Sequence, residues 1–237
     1  MVFKEVLDVM WPGRARRFFR AVRPRSVEDN LDYLLILGLF TLAGTFIAYG
    51  VTGITFTVSY GPASASTTFI YPLESAAIIA LEMYMTAIIS ALFGGIAFAF
   101  SSKWLLGRRA GVEEGITLIS YVYTPVLLLG ILAPINFMGF TVVIPVILPI
   151  TSMIAYAYAF FILSSAIKAT FEPPRSMWVT LAALWILVIL LAPAITGLVL
   201  SPVFDSLLPS VAMETGPEFT YKVDGRSVTI GRGFMAD

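Results

Sequence analysis

GITLISYVYTPVLLLGILAPINFMGFTVVIPVILPITSMIAYAYAFFILSSAI, residues 115–167, contains no Asp, Glu, Lys or Arg. A helix needs about twenty apolar residues to cross roughly 30 Å of hydrocarbon. This run is too long for one crossing and long enough for two. Pro134-Ile-Asn-Phe-Met-Gly139 places breaker residues near its middle and predicts a short hairpin turn between spans at 115–134 and 141–168. A competing reading makes Pro145 to Pro149 a broken or re-entrant segment, which is permitted where protein lines it. On either side, segments at 33–52, 75–102 and 177–200 meet the same length test, giving five spans.

Composition agrees. The residues AVILMFWYC form 58% of the 237 positions and charged residues only 13%, against roughly 25% charged in soluble domains. Mean hydropathy is +0.89. The expectation is an all-α polytopic membrane protein: a segment at 1–32, a five-helix membrane domain at 33–200 with an outer loop at 53–74, and a tail at 201–237. The first apolar run lacks a small-residue cleavage site soon after it, so it reads as a retained span and not a secretory signal. There is no cysteine and no histidine, which removes disulfides, thiolate nucleophiles, His or Cys metal sites and the commonest general base. No phosphate cradle or metal-spaced carboxylate cluster stands in their place. No enzyme activity, cofactor, metal or nucleic-acid partner is expected.

Net charge is zero, yet seven of the fifteen basic residues precede position 26: Lys4, Arg14, Arg16, Arg17, Arg20, Arg23 and Arg25. The loop at 53–74 has none, the next connection has Lys103, Arg108 and Arg109, the turn near 134–139 has none, and the fourth has Lys168 and Arg175. Cytoplasmic connections carry the excess of Lys and Arg. The N-terminus and the second and fourth connections are therefore expected in the cytoplasm, the remaining connections and the tail outside. Before the first span, Ala15, Phe18, Phe19 and Val22 recur at helical spacing, while Arg16, Arg17, Arg20 and Arg23 occupy other faces and Pro12 suits a helix start. One reading is an interfacial amphipathic helix, its aromatic side in lipid and its arginines among anionic headgroups; the plainer one is charge that only sets topology. Ser26-Val-Glu-Asp29 has capping-box spacing, so the first membrane helix should start just after Ser26.

Two segments change period from helix to strand. Ile54, Phe56, Val58 and Tyr60 alternate with Thr55, Thr57 and Ser59, and after Gly61-Pro62 a run from Thr67 to Tyr71 is placed to fold back. In the tail, Asp224-Gly225 is a two-residue hairpin signal that would set Tyr221 opposite Val228 and Phe219 opposite Ile230. Since a lone hairpin is marginal in water, the two should pack or pair into a small extracytoplasmic β element; the alternative is a disordered tail.

Glu82 is the one charged residue well inside a predicted span. Its cost in hydrocarbon demands protonation, hydrogen bonding or a wet interior. It is a candidate intramembrane polar site with Tyr84 and Thr86, or simply a neutral acid bonded to a hydroxyl on a facing helix; no second membrane acid or base is in view. Gly94 and Gly95 are candidates for close helix packing.

Two stretches carry a family likeness. Met10-Trp-Pro-Gly-Arg-Ala-Arg-Arg-Phe-Phe19 and Glu114-Gly-Ile-Thr-Leu-Ile-Ser-Tyr-Val-Tyr-Thr-Pro-Val126, with Tyr121, Tyr123 and Pro125 as its motif residues, resemble the Yip1-domain family of five-span membrane proteins. The likeness extends over roughly Met10 to Leu200. It implies a membrane scaffold or adaptor and no reaction. It does not carry over GTPase binding, because the acidic cytosolic extension of eukaryotic members has no counterpart here. The extended outer loop and hairpin-like tail fall outside the family pattern. The absence of cysteine and of Asn-x-Ser/Thr acceptors fits a prokaryotic cell membrane. Expected partners are the bilayer and either other membrane proteins or further copies of the chain. The alternatives are an accessory subunit of a larger membrane complex, and a small transporter or channel using Glu82.

Overall fold

Among its described residues, the computed structural model contains five helices long and apolar enough to cross a membrane: Val27–Thr52, Leu73–Leu106, Val112–Leu132, Met153–Thr170 and Met177–Asp205, the first to fifth spans. The structure describes residues 2–60, 63–134, 140–142, 150–171, 176–208, 218–223 and 226–230. The predicted breaker turn at 135–139, the Pro145 to Pro149 segment, and the Gly61-Pro62 and Asp224-Gly225 turns lie outside these residues.

Local chemistry sets the helix ends. The Oγ of Ser26 accepts the Asp29 N–H at 3.1 Å, and Glu28 and Asp29 place negative charge in the first turn, where the helix dipole favours it. The second span stops where Gly107 turns left-handed at φ 74°, a conformation that glycine adopts at little cost. The fifth span changes pitch along its length: Met177–Trp185 is α, Ile186–Leu191 is π, and Ala192–Asp205 is α again.

The third span is the core. In its most apolar stretch 67% of residues are buried, against 28–33% in the other four. It packs on its neighbours through backbone. A Cβ placed on Gly95 of the second span would lie 2.5 Å from Ile116 Cα, and one placed on Gly130 of the third would lie 2.7 Å from Thr41 Cα of the first. No side chain fits at either crossing, which is how small residues let membrane helices meet.

Two short helices precede the bundle, α1 (Val2–Met10) and α2 (Pro12–Ala21). The interfacial reading of α2 requires correction. Its apolar face is taken up by protein: Ala15 and Phe19 are buried, and the Phe18 ring meets Tyr121 of the third span edge-on at 4.9 Å. The arginines Arg16, Arg17, Arg20 and Arg23 do face outward.

Three connections share one five-stranded sheet of order β3-β1-β2-β4-β5, with β1 at Ile54–Tyr60, β2 at Ala63–Phe69, β3 at Phe140–Val142, β4 at Glu218–Val223 and β5 at Arg226–Ile230. β1 and β2 pair antiparallel from Ile54↔Phe69 to Tyr60↔Ala63, and β4 and β5 set Phe219 opposite Ile230 and Tyr221 opposite Val228. β2 joins the two hairpins by pairing antiparallel with β4. β3 corrects the fourth span's expected start at 141: Phe140–Val142 pairs parallel with β1, and helix begins only at Ile150. Because β1–β2 follow the first span, β3 the third and β4–β5 the fifth, these connections lie on one side, as an odd number of crossings requires.

Candidate functional site

Tyr121, buried in the third span, is the point where the N-terminal helices meet the bundle. Its ring lies edge-on to Phe18, to Phe19 at 6.2 Å and to Tyr33 of the first span at 5.0 Å. The guanidinium of Arg25 sits 5.6 Å from its centroid, within cation–π range. The phenol donates to Glu5 Oε2 at 3.3 Å, while Glu5 Oε1 accepts from Arg25 Nη2 at 2.6 Å. The Glu5 hydrogen bond, opposed in part by burial, pushes the Arg25 pKa above its ordinary value, so the cation is permanent. Around this centre, Thr117 Oγ1 accepts from the Arg25 N–H at 2.9 Å and from Asn30 Nδ2 at 3.0 Å. Tyr33 Oη and Thr124 Oγ1 lie 2.7 Å apart in a buried hydrogen bond. One aromatic residue thus ties α1, α2, the linker and two spans together.

Two residues on, the same stretch secures the fifth span. The helix breaks at Tyr123, between Val112–Val122 and Thr124–Leu129, because Pro125 has no N–H and its ring crowds the carbonyl four residues back. Tyr123 Oη donates to the Val188 carbonyl at 2.8 Å. Val188 lies within the π segment, where the regular i to i−4 ladder is interrupted. The hydroxyl supplies that carbonyl with a buried partner.

The candidate intramembrane polar site is not one patch. Tyr84 turns to the first span, its ring over Gly38 and its hydroxyl donating to the Leu35 carbonyl at 3.4 Å. Thr86 joins neither neighbour. Glu82 turns to the fifth span, near Ser201 and within electrostatic reach of Asp205; the Ser201 hydroxyl donates to Asp205 at 3.2 Å. The helix of the fifth span runs to Asp205 and not to 200, which brings this exposed carboxylate, its last residue, near Glu82. Gly95 stands at the tightest contact between second and third spans, whereas Gly94 faces methyl groups of Val188 and Ile119 at 3.3 and 3.4 Å. Among the described residues no group of three or more Asp or Glu is placed to hold a metal ion.

The Yip1 domain model matches residues 7–196. The chain belongs to the Yip1 domain family. No curated protein and no solved structure matches it. The Yip1 domain match takes in α2, Arg25, Tyr33, Tyr121, Tyr123 and Pro125, so most of the Tyr121 centre lies within the family's own region. Glu5, Ser201, Asp205, β4 and β5 lie beyond it. Glu5 and Arg25 were not singled out from the sequence. The signal for α1 was present in Val2, Val6 and Val9, but a second apolar set on the same helix blurs it.

Proposed function

We propose that this Yip1 domain protein is a non-enzymatic membrane scaffold or adaptor that works through helix contacts within the bilayer and through the β1–β5 sheet outside it. The observation that carries this reading is the use to which the buried polar groups are put. Tyr33, Asn30, Thr41 and Tyr123 all bond from one helix to another, and so build a fixed platform in place of a reaction site. The basic residues before Ser26 and in the second and fourth connections support a cytoplasmic N-terminus, with the sheet on the opposite side, and the absence of cysteine fits a prokaryotic cell membrane. Arg16, Arg17, Arg20 and Arg23 are then placed for anionic headgroups. Cross-linking in native membranes followed by mild solubilisation and mass spectrometry tests the scaffold reading: partners, or further copies, should be recovered in fixed ratio and lost when the sheet is deleted. A chain that runs alone and untouched overturns it. For orientation, cysteine at Ser64 should label from outside and cysteine at Arg109 should not.

A second reading, a small transporter or channel, gains support from Asp205 and Ser201 beside Glu82. Ion flux into proteoliposomes that is unchanged by Glu82→Gln sinks it.

A further inference from the structure

Helix α1 has two apolar faces. Val6 and Val9 are buried at 6% and 0% exposure, while Phe3, Leu7 and Trp11 are 65%, 64% and 64% exposed. Four-residue spacing stacks Phe3 and Leu7 on one side of the helix, and Trp11, the residue just past its end whose N–H bonds to the Leu7 carbonyl at 3.1 Å, extends this exposed apolar stripe. The acidic side chains nearby are already engaged: Glu5 pairs with Arg25, and Asp8 lies 3.4 Å from Arg14.

The depth of α1 says what the stripe meets. At its C-terminal end, Tyr158 of the fourth span donates to the Met10 carbonyl. Tyr158 lies ten residues before Lys168, about 15 Å at 1.5 Å per residue. Toward its N-terminal end, Glu5 accepts from Tyr121, which lies seven residues beyond Glu114, about 10 Å along the third span. Both contacts are inward of the charged residues bounding those spans. One leaflet's share of the roughly 30 Å hydrocarbon is about 15 Å, so at those depths the outward surface of a membrane protein faces the acyl chains of that leaflet.

We propose that α1 is a membrane-seated helix whose Phe3–Leu7–Trp11 stripe inserts among the acyl chains of the leaflet on the N-terminal side, with Lys4 at its edge reaching the headgroups. The partner is phospholipid. The inference rests on the membrane reading of the chain but not on the arginine contacts of α2, and the two fail separately because insertion of the stripe needs no anionic lipid.

The chain has no cysteine, so single labels are clean. A nitroxide on Leu7→Cys, with the protein in phosphatidylcholine vesicles, should collide with oxygen about tenfold more than with a water-soluble nickel chelate, as a label on Val199→Cys of the fifth span does; a label on Arg16→Cys should show the reverse. A protein keeping Trp11 alone, with Trp104, Trp178 and Trp185 replaced by Phe, should lose at least about half its emission in vesicles brominated on the acyl chains and little to acrylamide. Vesicles with phosphatidylglycerol should give the same results. A Leu7 label that matches Arg16, or Trp11 emission quenched from water and not from lipid, overturns the proposal. So does insertion that appears only with anionic lipid, because charge and not the stripe would then seat the helix.

Discussion

Three glycines in the spans differ in what a methyl group would meet, and Gly95→Ala is the decisive one. Its Cβ would stand 2.5 Å from Ile116 Cα and 2.9 Å from Ile116 N, against about 3.5–4.0 Å for an unstrained carbon contact. Backbone cannot step aside as a rotamer can, so the second and third spans must part by about 1 Å. A gap of that size forfeits about a quarter to a half of the dispersion attraction along the seam, and overpacking of this kind costs about 1–3 kcal/mol. Replacing glycine in a helix returns about 1 kcal/mol. The net loss is about 0–2 kcal/mol, or a drop in Tm of up to about 8 °C for a chain of this size. Gly94→Ala meets only the Val188 and Ile119 methyls at 3.3 and 3.4 Å, and Gly197→Ala meets nothing within 4 Å. Gly94→Ala should therefore lie near wild type, and Gly197→Ala should gain about 0.5–1 kcal/mol. Thermal unfolding followed by tryptophan emission in one detergent should rank Gly197→Ala highest and Gly95→Ala lowest. Equal midpoints for Gly94→Ala and Gly95→Ala would refute the backbone crossing.

Tyr123→Phe strips the Val188 carbonyl of its partner and should cost about 0.6–2 kcal/mol, read as a lower Tm with the oligomeric state unchanged. Arg25→Ala removes the cation from Glu5 and Tyr121. With hydrogen bonds to charged groups worth about 1.5–3 kcal/mol, amides of α1 should exchange about ten- to a hundredfold faster, while those of the third span keep their protection. Ser26→Ala deletes the cap on the first span and should cost about 1 kcal/mol, an effect that Ser26→Asp should largely reverse.

Much of the fold is written in local pattern. Charge-free runs of about twenty residues give the five helices, and the spacing from Ser26 to Asp29 gives the first residue of the first. Alternation at Ile54–Tyr60 marks a strand because its period is two. The features that escape this reading depend on partners distant in sequence. Glu5 and Tyr121 are 116 residues apart, and nothing near either announces the other. Asp205 fell in the tail because about twenty apolar residues already fill the span by 200, yet the helix continues through Pro202 to Asp205. The three residues of β3 sit in an uncharged run where a short strand and the start of a buried helix look alike. α2 was legible as amphipathic, but amphipathicity does not say whether the apolar side meets lipid or protein. Its partner, Tyr121, lies about a hundred residues further on in the sequence.

The glycine contacts on both flanks of the third span bear on the order in which the molecule is made. Emerging from the ribosome, this helix finds its two seats, at Gly95 and at Thr41, already synthesised. It can leave lipid for protein before either later span exists. The sheet is different, because β4 and β5 come last and cannot join β2 until the fifth span has crossed. Biogenesis then has two stages separable in time: a three-helix nucleus closed early inside the bilayer, and a seal on the far side that only a full-length chain can form. A nascent chain arrested after Leu132 should already hold the first three spans together.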